Sequence, residues 1–342
     1  MLFLLVASAL VSVDASGRRG TRRLRRGKAR SSRSSRGHRQ RRGGNRQCRS
    51  ILLSSQCRKP ADKSWCLQPM SFFTYADVKR AGERDVGLLG NGYSTARFAR
   101  LMSSRDGPLA SANLHHFILH KGNRYGIRVL ERTGKFKEKL EYLFDKDLDQ
   151  LGLDWSSCAV VGSSESVLRH ERGKEIDGHS AVIRFNEAPT AGFEKFVGKR
   201  TTVRLQNPER AGFAEGKELC LTKQFSNLSS KSCKIVPLSP QFIAYSRYYW
   251  LNSWNAKPGF TPSLGVHKEK RVKMSTGFIG VALAAHLCSR ISIYGFEAGA
   301  GQHYYNKTDT HGLSDWRLRH PWQLEQECLG LLKKNPRVKL VS

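Results

Sequence analysis

The chain has 342 residues, 39% of them hydrophobic, which is enough for one large domain with a buried core plus an appended segment and excludes a wholly disordered chain. Its formal charge of +31 is unevenly spread: fifteen Lys and Arg and no acid lie between Arg18 and Arg49, so about half the excess sits in one short arm. The basic remainder suits an anionic substrate and nucleic acid equally, so charge alone selects neither.

Met1 to Val13 reads MLFLLVASALVSV, an apolar run shorter than the roughly 20 residues that span a bilayer. It resembles a signal-peptide core, and Val13-Asp14-Ala15 spaces small residues like a cleavage site. No positive charge precedes the run and the basic cluster follows it, the reverse of what a type II anchor wants. Residues 1–15 are therefore read as a signal peptide or a truncated membrane anchor, with any membrane association through residues 1–13. Residues 16–60 follow as an Arg-, Ser- and Gly-rich stem that mutual repulsion keeps disordered. Little aromatic interleaving is available to stack bases, so nucleic acid is not an expected partner. Eight cysteines without CxxC spacing, and the sequons Asn227-Leu-Ser229 and Asn306-Lys-Thr308, fit an oxidising secretory compartment with glycosylation at Asn227 and Asn306.

Further along, Lys135 to Leu151 predicts a helix, with Phe136, Leu140, Leu143 and Phe144 at helical spacing. Asp145, Asp147 and Asp149 within it would point in different directions around the helix, which is poor metal geometry, and are expected as a solvated acidic face. His115 and His116 have no partner identifiable from sequence. From Cys158 strand-like and helix-like segments alternate. Ala159–Val161, Ser180–Phe185 and Thr201–Leu205 read as strands, and Phe242–Tyr249 as an extended aromatic run. Ser275–Leu287 is apolar almost all round and reads as a buried helix, with His286 as a core residue. Ile291–Phe296 is a strand, Trp322–Lys334 a helix and Val338–Val341 a final strand. The alternation predicts an α/β domain with a largely parallel sheet, without internal repeats.

In Cys158-Ala-Val-Val-Gly-Ser-Ser-Glu-Ser a buried strand ends at Gly162 and hydroxyl residues start the next turn, the end of a parallel strand where nucleotides bind. A nucleophile elbow is excluded because GxSxG needs Gly at position 166, which is Ser. Asn186 and Asn207 each end a strand; their amides offer donor and acceptor to a ribose or a cytosine edge, or simply cap loops.

These stretches resemble a known family. Residues 158–207 resemble the large sialylmotif of animal-type sialyltransferases. Pro262 to Phe296, with Ser275-Thr-Gly277 and His286-Leu-Cys-Ser-Arg-Ile-Ser-Ile-Tyr-Gly-Phe296, resembles the small motif. His303-Tyr-Tyr305 is similar to the third motif, and His320-Pro-Trp-Gln-Leu-Glu325, H-x4-E, to the very small one. The four occur in the family's order over residues 150–335, nearest to the β-galactoside α2,6 subgroup; linkage stays open. The resemblance implies a Rossmann-like, GT-A-like catalytic domain over residues 61–342. It implies a Cys158–Cys288 disulfide, which by chain entropy contributes roughly 5 kcal/mol at most. It implies that Ser163, Asn186 and Asn207 contact the nucleotide and that Ser275, Thr276 and Gly277 form the helix start that receives CMP. His303 then touches the phosphate, His320 is the catalytic base, and Glu325 orders its motif. The donor implied is CMP-sialic acid, with no metal or other cofactor required, and the acceptor a terminal galactose of a glycoprotein or glycolipid in the Golgi. A non-catalytic or altered-donor relative that binds a CMP-sugar is the competing reading.

Overall fold

Strands that are apolar on both faces need cover on both faces. The computed structural model describes residues 116–124, 126–127, 131, 140–222, 232–243, 274–297, 302–306 and 322–342. Among them the chain runs through β1 (Cys158–Val161), α1 (Gly173–Asp177), β2 (Ala181–Phe185), α2 (Glu194–Val197), β3 (Val203–Gln206), β4 (Leu219–Thr222), β5 (Ile235–Pro237), α3 (Thr276–Leu287), β6 (Ile291–Tyr294), α4 (Trp322–Leu332) and β7 (Val338–Val341). The strands form one sheet in the order β5-β4-β3-β2-β1-β6-β7. Every neighbouring pair is parallel. This is the α/β domain with a parallel sheet expected from the alternation, in the Rossmann-like form implied by the resemblance.

The period-two geometry of a strand divides the core in two. Cys158 and Val160 of β1, Ile183 and Phe185 of β2 and Ile291 and Ile293 of β6 face a cluster that includes Phe278, Val281 and Leu283 of α3 and Leu329 of α4. Ala159 and Val161 of β1, Val182 of β2 and Tyr294 of β6 face the other cluster, with Ile176 of α1, Val197 of α2 and Tyr304. Eleven of the twelve residues of α3 are buried, in keeping with its apolar composition on all sides. His286 is among them, its Nδ1 bonded to the Ala282 carbonyl at 2.8 Å.

Several expectations are corrected. The continuous helix over 135–151 does not form in the described part; two short 3-10 turns stand there, Leu140–Tyr142 and Leu148–Gln150. The cause is Asp147, expected on a solvated face but only 4% exposed. Its carboxylate accepts from the amides of Phe117, Ile118 and Leu148, so a tertiary contact overrides the helical period. Phe242 lies in a helical turn over 240–243 rather than an extended run; the rest of 242–249 lies outside the described residues. Strands β4 and β5 were not anticipated, and β6 ends two residues before Phe296. Among the described residues no helix is long and apolar enough to cross a membrane.

Two disulfides are described, Cys158–Cys288 with a sequence separation of 130 and Cys220–Cys233 with one of 13. Cys328 is also disulfide-bonded. Loop-closure entropy ranks the first two: removing Cys158–Cys288 (both Cys→Ser) is expected to lower unfolding stability by up to about 5 kcal/mol and removing Cys220–Cys233 by about 3. Urea unfolding of the two double variants measures the difference.

Candidate functional site at the carboxyl edge of the sheet

The chain leaves β1 towards β2 on one side, while β6 is added on the other. Sheets of this kind bind ligands outside the carboxyl ends of the strands at such a reversal. Here β1 and β6 end unusually close together. The Gly162 amide donates to the Tyr294 carbonyl at 2.7 Å, and a methyl group on Gly162 would stand 2.2 Å from the Gly295 carbonyl oxygen. Gly295 in turn has φ of +68°, a conformation that favours glycine.

On one side of the crevice the strand ends are tied to α3 by side chains. Asn186 follows β2 with φ of +49°, a left-handed turn that Asn tolerates. Its Oδ1 accepts from the Asn207 amide at 2.8 Å, and the Asn207 Oδ1 accepts from the Thr276 hydroxyl at 2.8 Å. Ser275 is the N-cap of α3, its Oγ accepting from the Phe278 amide at 3.0 Å. Both its amide and its hydroxyl donate, each at 2.7 Å, to the Glu325 carboxylate of α4. Glu325 is 2% exposed, so these are charge-assisted bonds in the interior. Gly277 packs under Phe296, whose ring would stand 2.9 Å from a methyl there.

On the other side, Ser163 follows β1 and its carbonyl accepts from the Tyr304 amide at 3.0 Å. The next residue, Ser164, forms an antiparallel bridge with His303. The His303 ring stacks on Tyr305 with centroids 5.2 Å apart and planes 3° apart. Tyr304 points the other way, buried against Phe193 with its hydroxyl donating to the Pro189 carbonyl. Ser163, Asn186, Asn207, Ser275, Thr276, Gly277 and His303 thus all lie along the ends of β1, β2, β3 and β6 or on elements bonded to them. Asn306 is half-buried beside His303, its amide donating to the His303 carbonyl at 3.1 Å. His320 and Asn227 lie outside the described residues.

Sequence reasoning missed what braces the Asn186 turn. Arg204, fully buried on β3, donates to the carbonyls of Asn186 at 3.1 Å and Ala188 at 2.8 Å. It pairs with Glu218 and, at 3.0 Å, with Glu215. Glu215 also accepts from the amides of Thr190 and Ala191. Beside it in register on β2 stands Arg184, which donates to the Val197 and Arg200 carbonyls and the Thr201 hydroxyl. Burial pulls its guanidinium down to about 10. The available signal was a single Arg at the centre of each apolar run, VIRF and VRL, where burial demands partners.

Comparison with known proteins follows the same residues. The model of glycosyltransferase family 29 (sialyltransferase) matches residues 110–216 and 211–336. Human CMP-N-acetylneuraminate-beta-galactosamide-alpha-2,3-sialyltransferase 1 is 30% identical over 198 residues, covering 49% of this chain and 53% of that protein. Beta-galactoside alpha-2,6-sialyltransferase 2 of Takifugu rubripes is 30% identical over 217 residues, covering 53% of this chain and 38% of that one. The two linkages stand level, and the chain spans about half the length, or less, of these curated relatives. A crystal structure of a mammalian sialyltransferase overlays with a TM-score of 0.44 at 22% identity, covering 72% of this chain and 83% of that one.

The Glu325 carboxylate generates a direct test. In Glu325→Gln one acceptor becomes an amide donor facing Ser275, a loss expected to cost about 1.5–3 kcal/mol. Chemical denaturation measures it, and Glu325→Asp is expected to recover only part, because its carboxylate is one methylene short.

Proposed function

The chain belongs to glycosyltransferase family 29, the sialyltransferases, and on that premise we propose that it transfers sialic acid from CMP-sialic acid to a terminal galactose-type acceptor on a glycoprotein or glycolipid. The observation that carries the reading is the bonded series Asn186, Asn207, Thr276. It draws two strand ends and the start of a buried helix round one crevice at the sheet's reversal. Carboxamides there offer both donor and acceptor to a cytidine. The positive end of α3 favours the phosphate.

The donor's anomeric carbon is tertiary and carries a carboxylate, so loss of CMP passes through an oxocarbenium-like transition state. In this reading His303, bridged to Ser164 just beyond β1, stabilises the departing phosphate. His320 takes the proton of the acceptor hydroxyl as it attacks from the opposite face, which inverts the centre. The leaving group is a phosphomonoester with less charge than a diphosphate, so protein donors suffice and no step is routed through a metal. Glu325 holds Ser275 and does not react. The disulfides, and sequons at Asn227 and Asn306, support a secretory, Golgi-type location for a catalytic region within 61–342.

The test is transfer from CMP-sialic acid to an array of galactose-terminated glycans, with linkage analysis of the product. His320→Ala is expected to lower kcat by about 10²–10⁴ while CMP binding is kept. Full activity in that variant removes His320 as the base. CMP binding by the wild type without transfer to any glycan makes the chain a non-catalytic relative.

A further inference from the structure

Outside this crevice, two histidines and the buried aspartate converge on one point. Residues 116–120 run along the segment that follows β5. Ile118 bridges Leu238 in antiparallel fashion, the Leu119 amide donates to the Pro237 carbonyl at 2.9 Å, and the Ser239 amide to the Phe117 carbonyl at 2.8 Å. His120 also bridges Phe144. Asp147 lies across this strap and takes its amides, which brings His116 and His120 together at one oxygen of the carboxylate. The His116 Nδ1 is 3.5 Å and the His120 Nε2 4.0 Å from the Asp147 Oδ2, and the two ring nitrogens are 2.9 Å apart. His120 and Asp147 are buried and His116 is half-buried.

We infer that His116, His120 and Asp147 form a binding site for a borderline divalent transition cation of the Zn²⁺ class. Around one such ion at bond lengths of about 2.0–2.1 Å, tetrahedral ligand atoms stand about 3.3–3.4 Å apart. The three observed separations bracket that spacing, so side-chain shifts of about half an ångström close the set on an ion. Two imidazoles and one carboxylate select Zn²⁺, Co²⁺ or Ni²⁺ over Mg²⁺ and Ca²⁺, which demand oxygen shells. Three protein ligands leave a fourth position for water.

The proton and hydrogen-bond inventory is consistent with loading. Two facing imidazole nitrogens 2.9 Å apart hold one proton between them, and the cation takes its place. The proton moves to the Nδ1 of His120, which keeps the ring neutral. The Gly122 amide, now 3.2 Å from that Nδ1, then turns to water, which Gly122, exposed on the surface, can reach. The Phe117 amide occupies one lone pair of the Asp147 Oδ2 at 2.9 Å, and the other remains for the ion. The Ile118 and Leu148 amides on the Oδ1 fix the carboxylate's orientation, as outer-shell bonds do in metal sites. The ion clamps the 116–120 strap and the 140–150 segment over the β5 edge. Its role is structural and independent of the transfer reaction.

The experiment uses the full chain, stripped with a chelator and titrated with Zn²⁺ by equilibrium dialysis, and with Co²⁺ by visible absorption. Uptake of one Zn²⁺ per chain, a rise of several degrees in melting temperature and the intense visible bands of four-coordinate Co²⁺ are expected. His116→Asn and His120→Asn are each expected to weaken uptake at least about tenfold, with the fold checked by circular dichroism. No stoichiometric uptake by the wild type overturns the proposal. So does unchanged uptake in the folded double variant, which would place the ion on other histidines. Should a variant fail to fold, the wild-type Co²⁺ spectrum decides alone, because octahedral, weakly absorbing Co²⁺ excludes this ligand set.

Discussion

One buried carboxylate holds the candidate site in register. Glu325 belongs to the last helix of the fold, yet its two oxygens accept from the amide and hydroxyl of Ser275, fifty residues earlier. That fixes the first residue of α3, and Ser275 in turn caps the helix. With the helix start fixed, Thr276 meets Asn207, and Asn207 meets Asn186. The strand ends and the helix are therefore positioned by a serial arrangement whose far end is a buried anion. A carboxylate taken so deep is stable only when donors meet it there, and Ser275 brings one to each oxygen.

A second brace acts from below. Arg204 and Arg184 stand side by side on adjacent strands on the α1–α2 side of the sheet. Arg204 is neutralised by two glutamates, while Arg184 is held by carbonyls and a hydroxyl. Because Arg204 grips the Asn186 and Ala188 carbonyls, the left-handed turn at Asn186 is supported from both ends. The side chain at the rim and the guanidinium beneath it are parts of one rigid loop, as a site that must hold a ligand's orientation requires.

The sequence shows most of the central sheet plainly, because β1, β2, β3, β6 and β7 are runs of β-branched and aliphatic residues between turn signals. It shows α3 for the same reason. Strands β4 and β5 are less visible: LCLT and IVP are short, and each contains a residue that weakens the pattern, a cysteine committed to a disulfide in one and a terminal proline in the other. The helix expected over 135–151 failed because periodicity cannot register that Asp147 is captured by backbone thirty residues away. Site residues were legible only through motif order. Nothing in local composition distinguishes Asn186 from a loop cap, and it is the fold that makes it answer Asn207. The same blindness hid the His116, His120 and Asp147 group: in sequence His116 stands with His115 as a stray pair, Asp147 in an acidic run, and His120 carries no signal of its own.

Strand order also has a consequence for assembly of the chain. Strands β1 to β5 are neighbours in sequence and in space, so that flank can form as the polypeptide emerges from the ribosome. The other partner of β1 is β6, which begins at Ile291. Until it arrives, the inner side of β1 is an unpaired and thoroughly apolar edge, the kind of surface on which nascent chains cross-pair. Cys158, the first residue of that strand, waits for its partner Cys288 over nearly the same interval, so the bridge can close only when the edge is about to be covered.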